Sequence, residues 1–132
     1  MRHETHYVSG ELIVVKATIA GPRATTQVRM LVDTGALMTT INPEVLDLIG
    51  YSPRDALRRT KVHSAVGEEE GYELLVASFT ALGFTANDVL VNVFDLGHDD
   101  IVDGLIGMSF LNGFNLEIRP AEKRLLVERI DP

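Results

Sequence analysis

Short apolar runs, separated by glycine, proline and acidic residues, set the pattern of the chain. "ELIVVKATI" (11–19) is rich in β-branched residues, "GPRATT" reads as a turn, and "QVRMLV" (27–32) alternates polar and apolar before an apolar pair. This predicts a β-hairpin leading to Asp33. "NPEVLDLIGY" then carries helix signals, with Asn42 as N-cap, Pro43 at the first helical position and Glu44 in the first turn. Val45, Leu46, Leu48 and Ile49 form its apolar face before Gly50, so a short helix is expected over 43–49. "RRTKVHSAVGEEEGYELLVASFTAL" has strand-like segments on either side of an acidic, glycine-bounded stretch, which predicts a long hairpin with its tip near Gly67 to Gly71. "NDVLVNVFDL" reads as another strand. "DGLIGMSFLNGFNLEI" gives an apolar pair, a glycine, one helical turn just after Gly107 and a further strand, and "RPAEKRLLVERI" turns into a last one. The expectation is a mostly β chain of roughly seven or eight strands with two short helices, and no repeat or linker.

Composition narrows the function classes. At 132 residues, 45% hydrophobic and 23% charged, residues 1–132 read as a single domain with an ordinary globular balance. No apolar run is long enough to span a bilayer, and "MRHETHYVSG" lacks the basic-then-apolar layout of a secretory signal, so no membrane partner is expected. With 12 Lys+Arg against 19 Asp+Glu the net charge is -7, which repels nucleic acid and anionic membranes over most of the surface. The absence of cysteine excludes disulfides, thiolate metal sites and a cysteine nucleophile. It suits a reducing compartment, and the cytoplasm is the expected location. Many exported bacterial domains also lack cysteine, so a soluble domain of an exported or membrane protein is the alternative.

The acid at position 33 raises the chemical question. Asp33 follows Met30, Leu31 and Val32 and precedes Thr34 and Gly35, where a buried strand must turn sharply. Taken alone, Asp-Thr-Gly reads first as a strand-ending Asx-turn. Its surroundings add more. "LVDTGA" (31–36), with Thr39 and Ile41 beyond it, precedes the long hairpin at 62–76 and then "GLIGMSFL" (104–111), followed by the strand "FNLEI". These three features, in this order and over nearly the whole chain, resemble the retropepsin-like aspartic proteases, the family of retroviral proteases and their single-domain relatives.

The resemblance implies a retropepsin-like lobe, closed and β-barrel-like, in which the Asp33 loop is braced by Leu105, Ile106 and Gly107. It implies an aspartic endopeptidase that cleaves peptide or protein substrates, with Asp33 catalytic and Thr34, Gly35 and Ala36 supporting the loop. Thr34 is expected to hydrogen-bond across two symmetric loops, and Gly35 to let substrate backbone approach. Val66, Gly67, Gly71 and Tyr72 are the flap candidates. Such chemistry needs two carboxylates sharing one proton, one as general base and the protonated partner as donor to the carbonyl oxygen. Only one Asp-Thr-Gly is present, and "DDIVDG" offers Asp99, Asp100 and Asp103 with no hydroxyl-glycine after any of them. A homodimer joining two Asp33 residues on its axis is therefore expected.

Other residues read less sharply. Leu37 departs from the acidic or small polar residue usual after this motif in the family. "EEEGYE" reads as a solvated acidic turn, with a preference for basic substrates as the alternative. Tyr72 is either a flap aromatic or an ordinary cross-strand contact. His3 and His6, in an N-terminus expected to be mobile, with His63 and His98 remote in sequence, do not compose a metal site; no metal or cofactor is expected. A non-catalytic peptide-binding or dimerisation module on the same fold is the competing reading.

Overall fold

The computed structural model describes residues 2–7, 12–64, 67–97 and 102–130. Among these, ten strands run in the order β1 (Arg2–His6), β2 (Val14–Ala20), β3 (Thr25–Val32), β4 (Thr40–Ile41), β5 (Arg58–Ser64), β6 (Gly67–Ala81), β7 (Phe84–Val93), β8 (Gly104–Ile106), β9 (Phe114–Arg119) and β10 (Arg124–Arg129). Helix α1 (Pro43–Ile49) lies between β4 and β5, and α2 (Met108–Leu111) between β8 and β9. Strands β2-β3-β8-β4-β7-β6 are hydrogen-bonded in that order, and β6 pairs back onto β2 through Thr18↔Thr80 to Ala20↔Ser78, so six strands close into a barrel. Strand β5 hangs from the free part of β6, and a separate sheet of order β1-β10-β9 lies beside the barrel.

Closure follows from the side-chain pattern. Ile19, Met30, Ile41, Leu74, Val76, Phe79 and Ile106 are fully buried. Alternation along each strand brings them inward, except that in β6 the inward set changes from Leu74 and Val76 to Phe79 across residues 77–78, where the β6–β7 ladder is interrupted. Beneath α2, Phe110 meets Phe79 edge-on at 5.1 Å, and Phe114 continues the aromatic stack to Phe84. The chain is mostly β, with a closed barrel and two short helices. Among the described residues no helix is long and apolar enough to cross a membrane.

Several details differ from the expectations. The N-terminal residues form β1, which is paired with β10 from Arg2↔Glu128 to His6↔Arg124 and is not a loose end. Asn42 occupies the N-cap of α1 without capping it; its Oδ1 accepts the backbone N–H of Leu96 at 2.8 Å and ties the helix start to the chain after β7. Leu48 is 66% exposed while Leu46 and Ile49 are buried, because a step of about 100° per residue swings position 48 off the core face. Gly50 ends α1 in the left-handed conformation (φ +102), a position where a side chain would be strained. Ser64 pairs with Gly67, so Gly67 to Gly71, with its three glutamates, lies within β6 and is not the hairpin tip.

Candidate active site

Asp33 follows the last residue of β3, and the neighbouring strand β8 fixes its height. Strand β8 runs parallel to β3 (Leu31↔Leu105, Val32↔Ile106), and the Asp33 N–H donates to the Ile106 carbonyl at 3.0 Å. The chain then turns on its own carboxylate. Gly35 N–H donates to Asp33 Oδ1 at 2.9 Å and Ala36 N–H to the Asp33 carbonyl at 3.2 Å. This is the Asx-turn that the tripeptide encodes locally. The turn orients one carboxylate oxygen and leaves the other without a hydrogen-bond partner among the described residues. Asp33 is half-buried, while Thr34 and Gly35 project to the exterior.

Residues 36–39 are clamped onto the start of α2. Met108 N–H donates to the Ala36 carbonyl and Ser109 N–H to the Leu37 carbonyl, both at 2.8 Å. Thr39 is fully buried, and its Oγ1 accepts from Gly107 N–H at 3.2 Å and from Ser109 Oγ at 3.2 Å. Thr39 N–H donates back to Ser109 Oγ at 2.9 Å. Burial of the Thr39 hydroxyl is inexpensive because it is hydrogen-bonded, while Ser109 stays exposed. Gly107 is indispensable to the clamp, since a Cβ there would stand 2.7 Å from the Met38 carbonyl group and 2.8 Å from the Ala36 oxygen, both backbone.

Across from this loop stands the β5–β6 hairpin. The two enclose a cleft of about 610 Å³, with Gly35, Ala36, Leu37 and Met38 on one side and Thr60, Lys61 and Glu73 on the other. Thr40 and Asn92 complete it. The loop side is largely apolar, and Leu37 is 83% exposed at its rim. The hairpin side is polar. Glu73 is buried and receives Arg58 Nη2 and Nε on one carboxylate oxygen at 2.7 and 2.9 Å, and Thr60 Oγ1 donates to Asn92 Oδ1 at 2.9 Å. Pairing with Glu73 holds the Arg58 guanidinium firmly protonated, raising its pKa from an already high value.

The residues singled out from sequence fall into three groups. Asp33, Thr34, Gly35, Ala36, Leu105, Ile106 and Gly107 come together through the β3–β8 ladder and the α2 clamp. Gly71 and Tyr72 lie at the root of the hairpin, in β6, and not at its tip. Gly71 is needed there because a Cβ would meet the Val93 carbonyl oxygen at 2.6 Å. Tyr72 alternates with Glu73 along the strand and therefore faces away from the cleft, into a groove with Pro53, Arg59 and Glu70. Gly67 opens β6 at φ +124, exposed, and Val66 lies outside the described residues. Asp103 is bound into the frame, its Oδ2 accepting Arg29 N–H at 2.8 Å; Asp99, Asp100 and His98 lie outside the described residues. Thr60, Glu73, Asn92 and Ser109 escaped the sequence reading. They sit on four separate elements, and only Ser109, two residues after Gly107, had a local signal. Among the described residues no three His, Asp or Glu side chains form a cluster that would hold a metal ion.

A closed barrel that lifts one Asp-Thr-Gly turn toward a hairpin-covered cleft defines the retropepsin-like class of aspartic proteases, and this chain has that fold. Sequence comparison shows the family directly: the aspartyl protease family model matches residues 15–110, and the chain belongs to that family. No curated protein sequence matches it. Among solved structures, a retropepsin-like aspartic protease from Rickettsia conorii superposes with a TM-score of 0.71 at 20% identity, covering 96% of this chain and 98% of that one. The retroviral protease-like domain of Ddi1 from Leishmania major gives 0.59 at 18% identity, covering 91% and 94%. EIAV protease complexed with the inhibitor HBY-793 gives 0.59 at 17% identity, covering 82% and 92%. At these identities the likeness is one of fold.

Proposed function

We propose that the chain is an aspartic endopeptidase, active as a homodimer in which the Asp33 carboxylates of two copies hold and activate one water. The observation that carries this reading is the Asp33 turn: it presents a single carboxylate with one oxygen uncommitted, beside Thr34 and Gly35 facing outward. One carboxylate is half of the required machinery. A two-fold axis beside Thr34 brings a second Asp33 opposite the first and gives the exposed Thr34 hydroxyl a partner on the other loop. Two such groups a few ångströms apart do not both ionise, so the pair retains one proton. The ionised member takes a proton from water as it attacks the scissile carbonyl carbon, while the protonated member donates to the carbonyl oxygen. The substrate is a peptide or protein segment lying in the cleft between residues 35–38 and the β5–β6 hairpin.

The test is hydrolysis of a mixed peptide library by wild type and Asp33→Asn across pH, with mass in solution measured in parallel. Wild type is expected to cleave with an acid-to-neutral, bell-shaped profile, since one carboxylate must be ionised while the other is protonated. Asp33→Asn keeps the shape and the acceptor for Gly35 N–H but removes the base, so the fold and dimer persist while cleavage is lost. An Asn variant with wild-type activity refutes the assignment. Peptide binding by both proteins without cleavage by either replaces the enzyme with a binding module.

A further inference from the structure

A second groove, of about 460 Å³, adjoins the cleft. Met38 lines both. On the outer face of the β6–β7 ladder, Glu73 and Asn92 are paired within the cleft, and the next pair along that face is Leu75 and Leu90. These two leucines are 44% and 36% exposed, so the face is uncovered where it leaves the cleft. The far wall of the groove is built by Phe110, Phe114 and the end of β10, with Ile130 49% exposed.

One side of the groove is a strand edge. Residues 86–90 of β7 line it consecutively, whereas a surface resting only on a sheet face would touch alternate residues. Strand β4 covers β7 only at Asn92 and Val93, and among the described residues nothing pairs with 84–91 on that side. The edge is not flat. Asp88 takes the left-handed conformation (φ +52) and interrupts the ladder opposite Ala77, whose N–H donates to Tyr51 Oη instead. A charge and a kink on an open strand discourage indiscriminate pairing and leave short stretches on either side for a specific partner.

We infer that this groove is a distal substrate site: the polypeptide being cleaved continues from the cleft beside the Asp33 loop over Met38 and Leu90 and lays an extended segment along the open edge of β7. Continuity with the cleft selects the occupant, because a chain long enough to leave the cleft past Met38 meets this edge next. Strand addition supplies backbone hydrogen bonds independent of side-chain identity. Leu90 and Ile130 add an apolar contact, and Asp88 and Arg129 place one charge of each sign on the walls. The proposal rests on the hydrolase reading for its chemistry but not for its binding.

The experiment compares randomised eight-residue peptides with sixteen-residue peptides carrying the same central eight, using wild type, Leu90→Asn and Ile130→Ser. Wild type is expected to show a KM for the long peptides lower by about tenfold, and either substitution to remove most of that advantage. The KM of the short peptides and kcat for both lengths should stay unchanged. Equal KM for both lengths in wild type, or equal losses on both lengths in the variants, overturns the proposal. So does a fall in dimer mass in both variants, which would make the groove a subunit contact. If no peptide is cleaved, the hydrolase reading fails while the groove is still judged by fluorescence anisotropy of labelled long and short peptides. Tighter binding of the long ones by wild type, lost in both variants, supports it, and equal binding by all three proteins overturns it.

Discussion

Gly107 shows how much one missing methyl group decides. A Cβ added there would meet backbone atoms of residues 38 and 36 at 2.7 and 2.8 Å, which cannot swing aside as a side-chain tip can. Gly107→Ala is therefore expected to push the 33–39 loop off α2, weaken the Thr39–Ser109 hydroxyl pair and lower stability by about 1–3 kcal/mol. Urea unfolding monitored by circular dichroism checks this; an unchanged midpoint would mean that the loop yields without cost. Asp33 behaves differently at the same scale. Its turn is satisfied locally, with Gly35 N–H alone orienting one carboxylate oxygen.

Helix α1 and the β5–β6 hairpin illustrate how elements sort similar residues into different roles. Within α1, Leu46 is fully buried and Leu48 is exposed. Leu46→Ala should cost about 2–5 kcal/mol by opening a cavity, and Leu48→Ala should change stability by less than about 0.5 kcal/mol. Denaturation of the two variants side by side checks the helix orientation, and equal losses would contradict it. In the hairpin, period-two alternation turns Glu73 into the cleft and Tyr72 out of it. Burial first, then the charges of Asp47 and Asp55, raise the Tyr72 phenol above its ordinary pKa of 10.0. The folded state thus favours the protonated phenol. Its contribution is complete below pH 10 and is lost as pH rises through the folded value. Tyr72→Phe is expected to flatten the alkaline fall in stability without altering the profile at neutral pH, as thermal melts from pH 8 to 11 would reveal. A wild-type profile that the substitution leaves unchanged would show that the phenol is not the group responsible.

For the whole molecule, net charge bears on assembly, and under the proposed mechanism so does the single Asp-Thr-Gly. A net charge of -7 on each copy opposes self-association at low ionic strength, and salt screens that repulsion. If catalysis needs two copies, specific activity should rise with protein concentration and with moderate salt, following the appearance of a species of twice the 14.5 kDa chain mass. Sedimentation run beside the cleavage assay checks this coupling. Activity per chain that stays constant while the protein dilutes to monomer would sink the shared-site mechanism.

Local patterns alone determined a good deal. The β-branched hairpin ending at Asp33, helix α1 with its proline start and glycine stop, and the helical turn after Gly107 were all legible, because each is set by residues within a turn or two of one another. The Asx-turn belongs with them: Asp33 and Gly35 are two residues apart. Barrel closure by β2 on β6, the parallel pairing of β3 with β8 and the conversion of the N-terminal residues into a strand were decided only in three dimensions. Their partners lie scores of residues away, and no short-range signal records which strand edge will be free. The same applies to Glu73, Asn92 and Thr60. Nothing in "EEEGYE" distinguishes the one glutamate that register turns inward toward Arg58 from the three left in solvent, since the face a strand residue occupies is set by its neighbours across the sheet and not by its neighbours in the chain.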